Sequence, residues 1–218
     1  MFHSSDKIKK VKPWEYVKIK IQKNPLYTVK KYKISSHKLF SDSHVWFDCS
    51  MIIPPDIRKI SEEFFSKYEL IVGRHNYRKV FFDEIIDWYL EGKTKQFCLE
   101  TCYKLINAGV NFNNFVPTLS GIIFRKSGKS IDKFNEEWWK LWSLIEHRDQ
   151  IVLGFAVSEF KKKLIIDDMC NIYHTYKKLG TYQKEANKRQ LHHFVKKLNI
   201  VLGQNNKLKA TAIKHRLL

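Results

Sequence analysis

His44-Val45-Trp46-Phe47-Asp48-Cys49-Ser50-Met51-Ile52-Ile53-Pro54-Pro55 is the stretch around which the chain is organised. Val45, Trp46 and Phe47 are β-branched or aromatic and read as a short buried strand. Asp48 and Ser50 fall on one side of it, because side chains of extended backbone repeat every two residues. Met51 to Ile53 resume the apolar run, which gives an expected strand over 46–53. Pro54-Pro55 then forbids a continuing ladder. A carboxylate between two apolar runs is costly unless it has a partner. A metal ion would serve, and so would the N-terminus of a following helix.

Outward from this stretch, strands and helices alternate. Toward the N-terminus, Tyr16 to Ile21 alternates as a strand with Lys18 and Lys20 outward, and Asn24-Pro25 turns the chain. A helix is expected over Leu26–Leu39, with Lys30, Lys31 and Lys33 clustered on it. Toward the C-terminus, Asp56 opens a helix to Phe65 and Glu69–Gly73 is a compact strand. Helices are expected over Val80–Tyr89 and Lys93–Ala108, the second closed by Gly109. Thr118–Arg125 contains a strand, and Ile131–Glu146 is an aromatic-rich helix. Ile151–Phe160 fits helix or strand, and Leu164–Ile166 a last strand. This alternation predicts a layered α/β fold. Surface helices are expected over Asp167–Leu179 and Tyr182–Leu202, and a basic tail over 205–218.

A chain of 218 residues fits one domain with an appendage. An apolar share of 44% is ample for a core and argues against general disorder. No run approaches the roughly 20 apolar residues of a membrane span. The polar Met1-Phe2-His3-Ser4-Ser5-Asp6 lacks the apolar region of a secretory signal. Cys49, Cys98, Cys102 and Cys170 are too scattered for a disulfide framework. Cys98 and Cys102, four apart on a helix, read as one packed face rather than a zinc pair. A reducing cytoplasmic setting is the expectation, with peripheral attachment to a membrane surface as a variant.

The net charge of +18 is unevenly spread. Residues 1–40 hold 11 Lys against Asp6 and Glu15, a balance of +9. Residues 151–218 hold 14 Lys and Arg against Glu159, Asp167, Asp168 and Glu185, a balance of +10. The middle is close to neutral. Basic ends predict attraction to a polyanion: nucleic acid, an anionic membrane surface or a phosphorylated substrate. Solvated lysines in a lysine-rich composition explain the same balance without a partner.

Polar clusters follow the apolar segments at Asp48/Ser50, His75/Arg78, Arg125 and Arg148/Asp149. In open α/β sheets ligands bind beyond the carboxyl ends of strands, so these residues are candidates to converge. A carboxylate with a neighbouring oxygen suits Mg²⁺ or a similar hard cation, arginines suit a diphosphate, and Asp149 could serve as a general base. The set points to transfer of a group from a phosphorylated donor.

The motifs then resemble, in order, those of a GT-A-type glycosyltransferase-like family that includes plant mucilage-related hexosyltransferase-like proteins and bacterial and viral members. Trp14-Glu15-Tyr16-Val17 resembles its "WEVV" strand. Lys30 to Ile34 is similar to its lysine-bearing helix, and Val45 to Ile53 to its form of the metal motif. His75-Asn76-Tyr77-Arg78 with Phe82-Asp83-Glu84 resembles an "H-x-x-R…Y-x-E" segment. Gly121 to Arg125, Glu137-Trp138-Trp139 and Arg148-Asp149-Gln150 resemble its ending. The match covers about residues 14–157.

The resemblance implies a GT-A-like (Rossmann-like) domain over 1–160 with a basic, mainly helical extension over 161–218. It implies a nucleotide-sugar donor, a glycan, lipid or protein acceptor, and Mn²⁺ or Mg²⁺ held by Asp48 and Ser50. Ser50 stands where the family has a second carboxylate. Lys33, His75, Arg78, Arg125 and Arg148 map onto donor binding and Asp149 onto catalysis. Residues 1–6 match the end of the family's second strand, so its first strand has no counterpart. Two other classes stay open: a polyanion-binding protein using the basic ends, and a catalytically degenerate scaffold of the same fold.

Overall fold

The computed structural model describes residues 2–3, 17–48, 51, 53–75, 78–90, 92 and 94–167. The expected helices over 167–202 and the tail over 205–218 lie outside these residues, apart from Asp167. So do Cys49, Ser50, Asn76 and Tyr77.

Two short strands, β1 (Phe2–His3) and β2 (Val17–Lys18), pair in parallel as a separate ladder. Helix α1 (Pro25–Ile34) follows, with Pro25 in its first turn and Asn24 as cap, its side chain accepting from Tyr27 N at 2.7 Å. The expected helix to Leu39 stops at Ile34. Ser35 leaves helical geometry, and Ser36–Lys38 forms a single 3-10 turn. Strand β3 (His44–Phe47) is shorter than expected. Asp48 N–H makes a last bond to Gly121 O at 2.8 Å, and Met51 N–H turns back to Asp48 O at 2.9 Å. The strand thus ends at Phe47, short of the expected Ile53.

Beyond it come α2 (Ile57–Lys67), β4 (Leu70–Arg74), α3 (Phe81–Leu90), α4 (Lys95–Asn107) and β5 (Thr118–Arg125). Then follow α5 (Lys129–Ile145), α6 (Asp149–Ser158) and β6 (Lys163–Asp167). The main sheet is mixed, ordered β3-β5-β4-β6. Strand β5 is antiparallel to β3 and β4, and β6 is parallel to β4. Strands β3, β4 and β6 thus share one direction and end at one edge. The sheet extends past the boundary expected at residue 160, because β6 completes it.

Alternation along the strands divides the core in two. Ile71, Ile122 and Phe124 face α2, meeting Ile57, Ile60, Phe64 and Phe65. Leu70, Val72, Ile123 and Trp46 face the other way, into a core shared with α1 and α3–α6. Helix α6 resolves the ambiguous apolar run. Its Ile151, Val152, Leu153 and Val157 are all wholly buried, so it is apolar all round because it lies inside. Cys98 and Cys102 are buried thiols on one packed face of α4, not joined in a disulfide, and burial pushes the Cys102 thiol pKa up. Among the described residues no helix is long and apolar enough to cross a membrane.

Candidate functional site

Asp48 lies one residue beyond β3, on the same side of the extended chain as Trp46. Trp46 Nε1–H accordingly donates to Asp48 Oδ1 at 2.7 Å. The same carboxylate receives Lys33 Nζ, 3.0 Å from Oδ1 and 3.2 Å from Oδ2. Lys33 comes from the last turn of α1 and is only 1% exposed. Its ammonium also lies 3.0 Å from Asp149 Oδ2, an ion pair without hydrogen-bond alignment. Asp149 Oδ1 accepts from Lys30 Nζ at 2.5 Å. Lys30 and Lys33 are three apart and share one helix face. Trp138 Nε1–H holds the Asp149 carbonyl at 3.1 Å. Three segments distant in sequence thus bring together two lysines and two aspartates whose formal charges cancel.

Burial opposes the Lys33 ammonium, but Asp149 and Asp48 outweigh it and leave its pKa above the ordinary lysine value. Burial likewise opposes ionised Asp149, yet Lys33 and Lys30 hold its carboxyl well below the usual carboxylate range. A general base works best with a pKa near the operating pH. Asp149 so strongly held ionised does not suit the proton-acceptor role expected for it. It suits an anchor for the two lysines. The open flank is formed by Asp48, whose side chain is 37% exposed, and Lys30 at 16%.

The other expected site residues divide. Arg125 is wholly buried and cannot meet a donor directly. Its Nη2 donates to Lys33 O at 2.8 Å, and its Nη1 to Ile34 O, Ser36 Oγ and Asn135 Oδ1. It therefore ends α1 and fixes the backbone from which Lys33 springs. This corrects the donor-binding role expected for it. Burial alone pulls its pKa down to about 9, which leaves it charged at neutral pH. Arg78 is 3% exposed and is committed to acids, with Nη1 2.7 Å from both Glu84 oxygens and Nε 2.8 Å from Asp87 Oδ2. Gln150 Nε2–H donates to the same Glu84 at 3.0 Å. Arg78 is thus tied through Glu84 to the residue beside Asp149 and supports the site from behind, a correction of the same kind. His75 stands just past β4, at the same sheet edge as Asp48 but two strands away, with its N–H on Pro117 O at 3.3 Å. Arg148 occupies the N-cap position of α6. Ser50 lies outside the described residues.

Lys30, Trp46, Trp138 and Glu84 are parts of this arrangement that the sequence reading did not assign to it. The three-residue spacing of Lys30 and Lys33, and the two-residue spacing of Trp46 and Asp48, were the available signals.

The donor set does not suit the expected divalent cation. Among the described residues no group of three or more His, Cys, Asp or Glu side chains could hold one. Asp48, the one expected ligand described, already carries a buried ammonium. A dication bound to its oxygens at about 2.0–2.6 Å would lie close to Lys33 Nζ. At about 4 Å and an effective dielectric of about 20, that repulsion is about 8 kcal/mol.

No protein-family model, curated protein or solved structure matches the chain.

Proposed function

We propose that the chain is a GT-A-type glycosyltransferase that moves a sugar from a nucleotide-sugar donor to an acceptor hydroxyl. The observation that carries the proposal is the meeting of Lys30, Lys33, Asp48 and Asp149 at the edge where β3 ends. That is where an open α/β sheet binds ligands. The ordered motif resemblance over about residues 14–157 supplies the transferase class, and the mixed sheet with helices on both faces is compatible with it.

In the transfer, the acceptor oxygen forms a bond to the anomeric carbon as the bond from that carbon to the diphosphate oxygen breaks. The electron pair leaves with the nucleoside diphosphate, and the acceptor proton passes to a diphosphate oxygen. Negative charge grows on the leaving group, so preorganised cations beside it lower the barrier. Lys30 stands at the open flank and would meet the diphosphate, with Lys33 fixed behind it. Asp48 would accept a sugar or ribose hydroxyl at its exposed edge. Asp149 holds both ammonium groups in place before substrate arrives.

The test is thermal unfolding with a panel of UDP-, GDP- and dTDP-sugars, each in EDTA and in Mn²⁺. A ligand that binds only the native state at 100 times its Kd adds about 2.7 kcal/mol. For a chain of this size that is a rise of about 5–10 °C. Lys30→Ala should reduce the rise. A folded protein whose melting temperature ignores every donor, in both conditions, sinks the proposal.

A further inference from the structure

We infer that Lys33 is the resident cation of this site, taking the place between carboxylates that a divalent metal would otherwise occupy, so that donor binding needs no metal. The donor half of this inference rests on the transferase reading; the cation half does not.

The geometry is that of a bridging cation. Lys33 Nζ lies 3.0 and 3.2 Å from the two oxygens of Asp48 and 3.0 Å from Asp149 Oδ2, joining a group beyond β3 to one at the start of α6. Its position is fixed from two further sides. Arg125, wholly buried, holds its carbonyl, and Trp46 places its ring 5.9 Å from the ammonium. The side chain is 1% exposed, so it is enclosed where it stands. If it moved away, Asp149 would keep Lys30 alone. A metal arriving at Asp48 would therefore have to displace a buried, doubly paired ammonium or bind beside it, and both are unfavourable. Lys30 adds a second fixed positive charge on the solvent side. Together they supply the charge that stabilises a departing diphosphate.

Removing the ammonium should turn the site into one that takes up a metal. The experiment follows free Mn²⁺ by electron paramagnetic resonance on titration with protein, without any nucleotide. Wild type should leave the free signal unchanged at submillimolar Mn²⁺. Lys33→Ala, or Lys33→Gln if the first does not fold, should take up one Mn²⁺, and adding Asp48→Asn should abolish the uptake. Mn²⁺ binding by wild type that disappears in Asp48→Asn overturns the inference. So does a folded Lys33 variant with no uptake. In the donor arm, a melting shift equal in EDTA and Mn²⁺ supports the inference, and one that requires Mn²⁺ overturns it. If no donor shifts the protein at all, the transferase reading fails and the titration alone decides the identity of the cation.

Discussion

Asp149→Asn replaces the carboxylate at the centre of the ion cluster with a group of the same shape and no charge. Lys33 is then left with Asp48 alone, and Lys30 loses its carboxylate partner at 2.5 Å. Because Lys33 is 1% exposed, water cannot take the place of the lost charge. Breaking a buried pair by removing one member costs about 3–5 kcal/mol. For a chain of this size that is a fall in melting temperature of about 6–20 °C. Urea unfolding followed by tryptophan fluorescence reports it, since Trp138 and Trp142 are wholly or almost wholly buried. The pH dependence adds a second signature. In wild type, Lys33 has a raised folded pKa, so its contribution is complete below the unfolded lysine pKa of about 10.4 and is lost as pH rises through the folded value. Asp149 has a depressed folded pKa, so its contribution is complete above about pH 3.9 and is lost as pH falls through the folded value. In the variant the largest influence raising Lys33 is gone, so its folded pKa falls below the wild-type value while Asp48 still supports the charge and burial still opposes it. The deficit of the variant relative to wild type should therefore shrink at high pH, as the wild-type Lys33 also loses its proton. Lys33→Met added to Asp149→Asn should restore part of the loss, because the buried cation that has lost one of its two partners goes too. A loss below about 1 kcal/mol, or a double variant no more stable than the single one, refutes the reasoning.

Arg125→Met should destabilise by about 3 kcal/mol or more in urea, because it leaves the Lys33 and Ile34 carbonyls, Ser36 Oγ and Asn135 Oδ1 short of a donor inside the core; a near-neutral result contradicts its placement. His44 Nδ1–H donates to Asp42 O at 3.1 Å, and its Nε2 lies 2.7 Å from Ser36 Oγ, accepting from that hydroxyl while the ring is neutral. Burial and then Arg125 lower its pKa to about 4, so stability should fall by about 3 kcal/mol as pH drops from about 6.5 to 4, and His44→Gln should flatten that part of the profile. Gly154→Ala, which favours an ordinary helix by about 1 kcal/mol, should here destabilise, because the added Cβ would collide with the Phe115 ring and the Val116 carbonyl oxygen; a higher melting temperature would contradict the close approach of α6 to that segment.

The order of strands and helices was legible in the sequence because each core element carries its own periodicity. Thr118–Arg125 and Leu164–Ile166 show this, as do the helices on either side of them. The site was legible in part. Asp48 and Asp149 stood out as charges next to apolar runs, Lys33 entered through the motif resemblance, and the structure places all three together. What those charges do was decided only in three dimensions. Arg125 and Arg78 read as donor ligands from their types and positions, yet both are consumed inside the protein. Lys30 was one lysine among several until α1 docked against the start of α6. The strand ends at Phe47 rather than at Ile53, and Met51 N–H bonds back to Asp48 O, a contact that no residue pattern specifies. The physical reason is range. Periodicity and propensity act over a few residues and fix which elements form. The partner of a buried charge is set by contacts more than 100 residues apart, such as Lys33 with Asp149, and by the solvent they exclude.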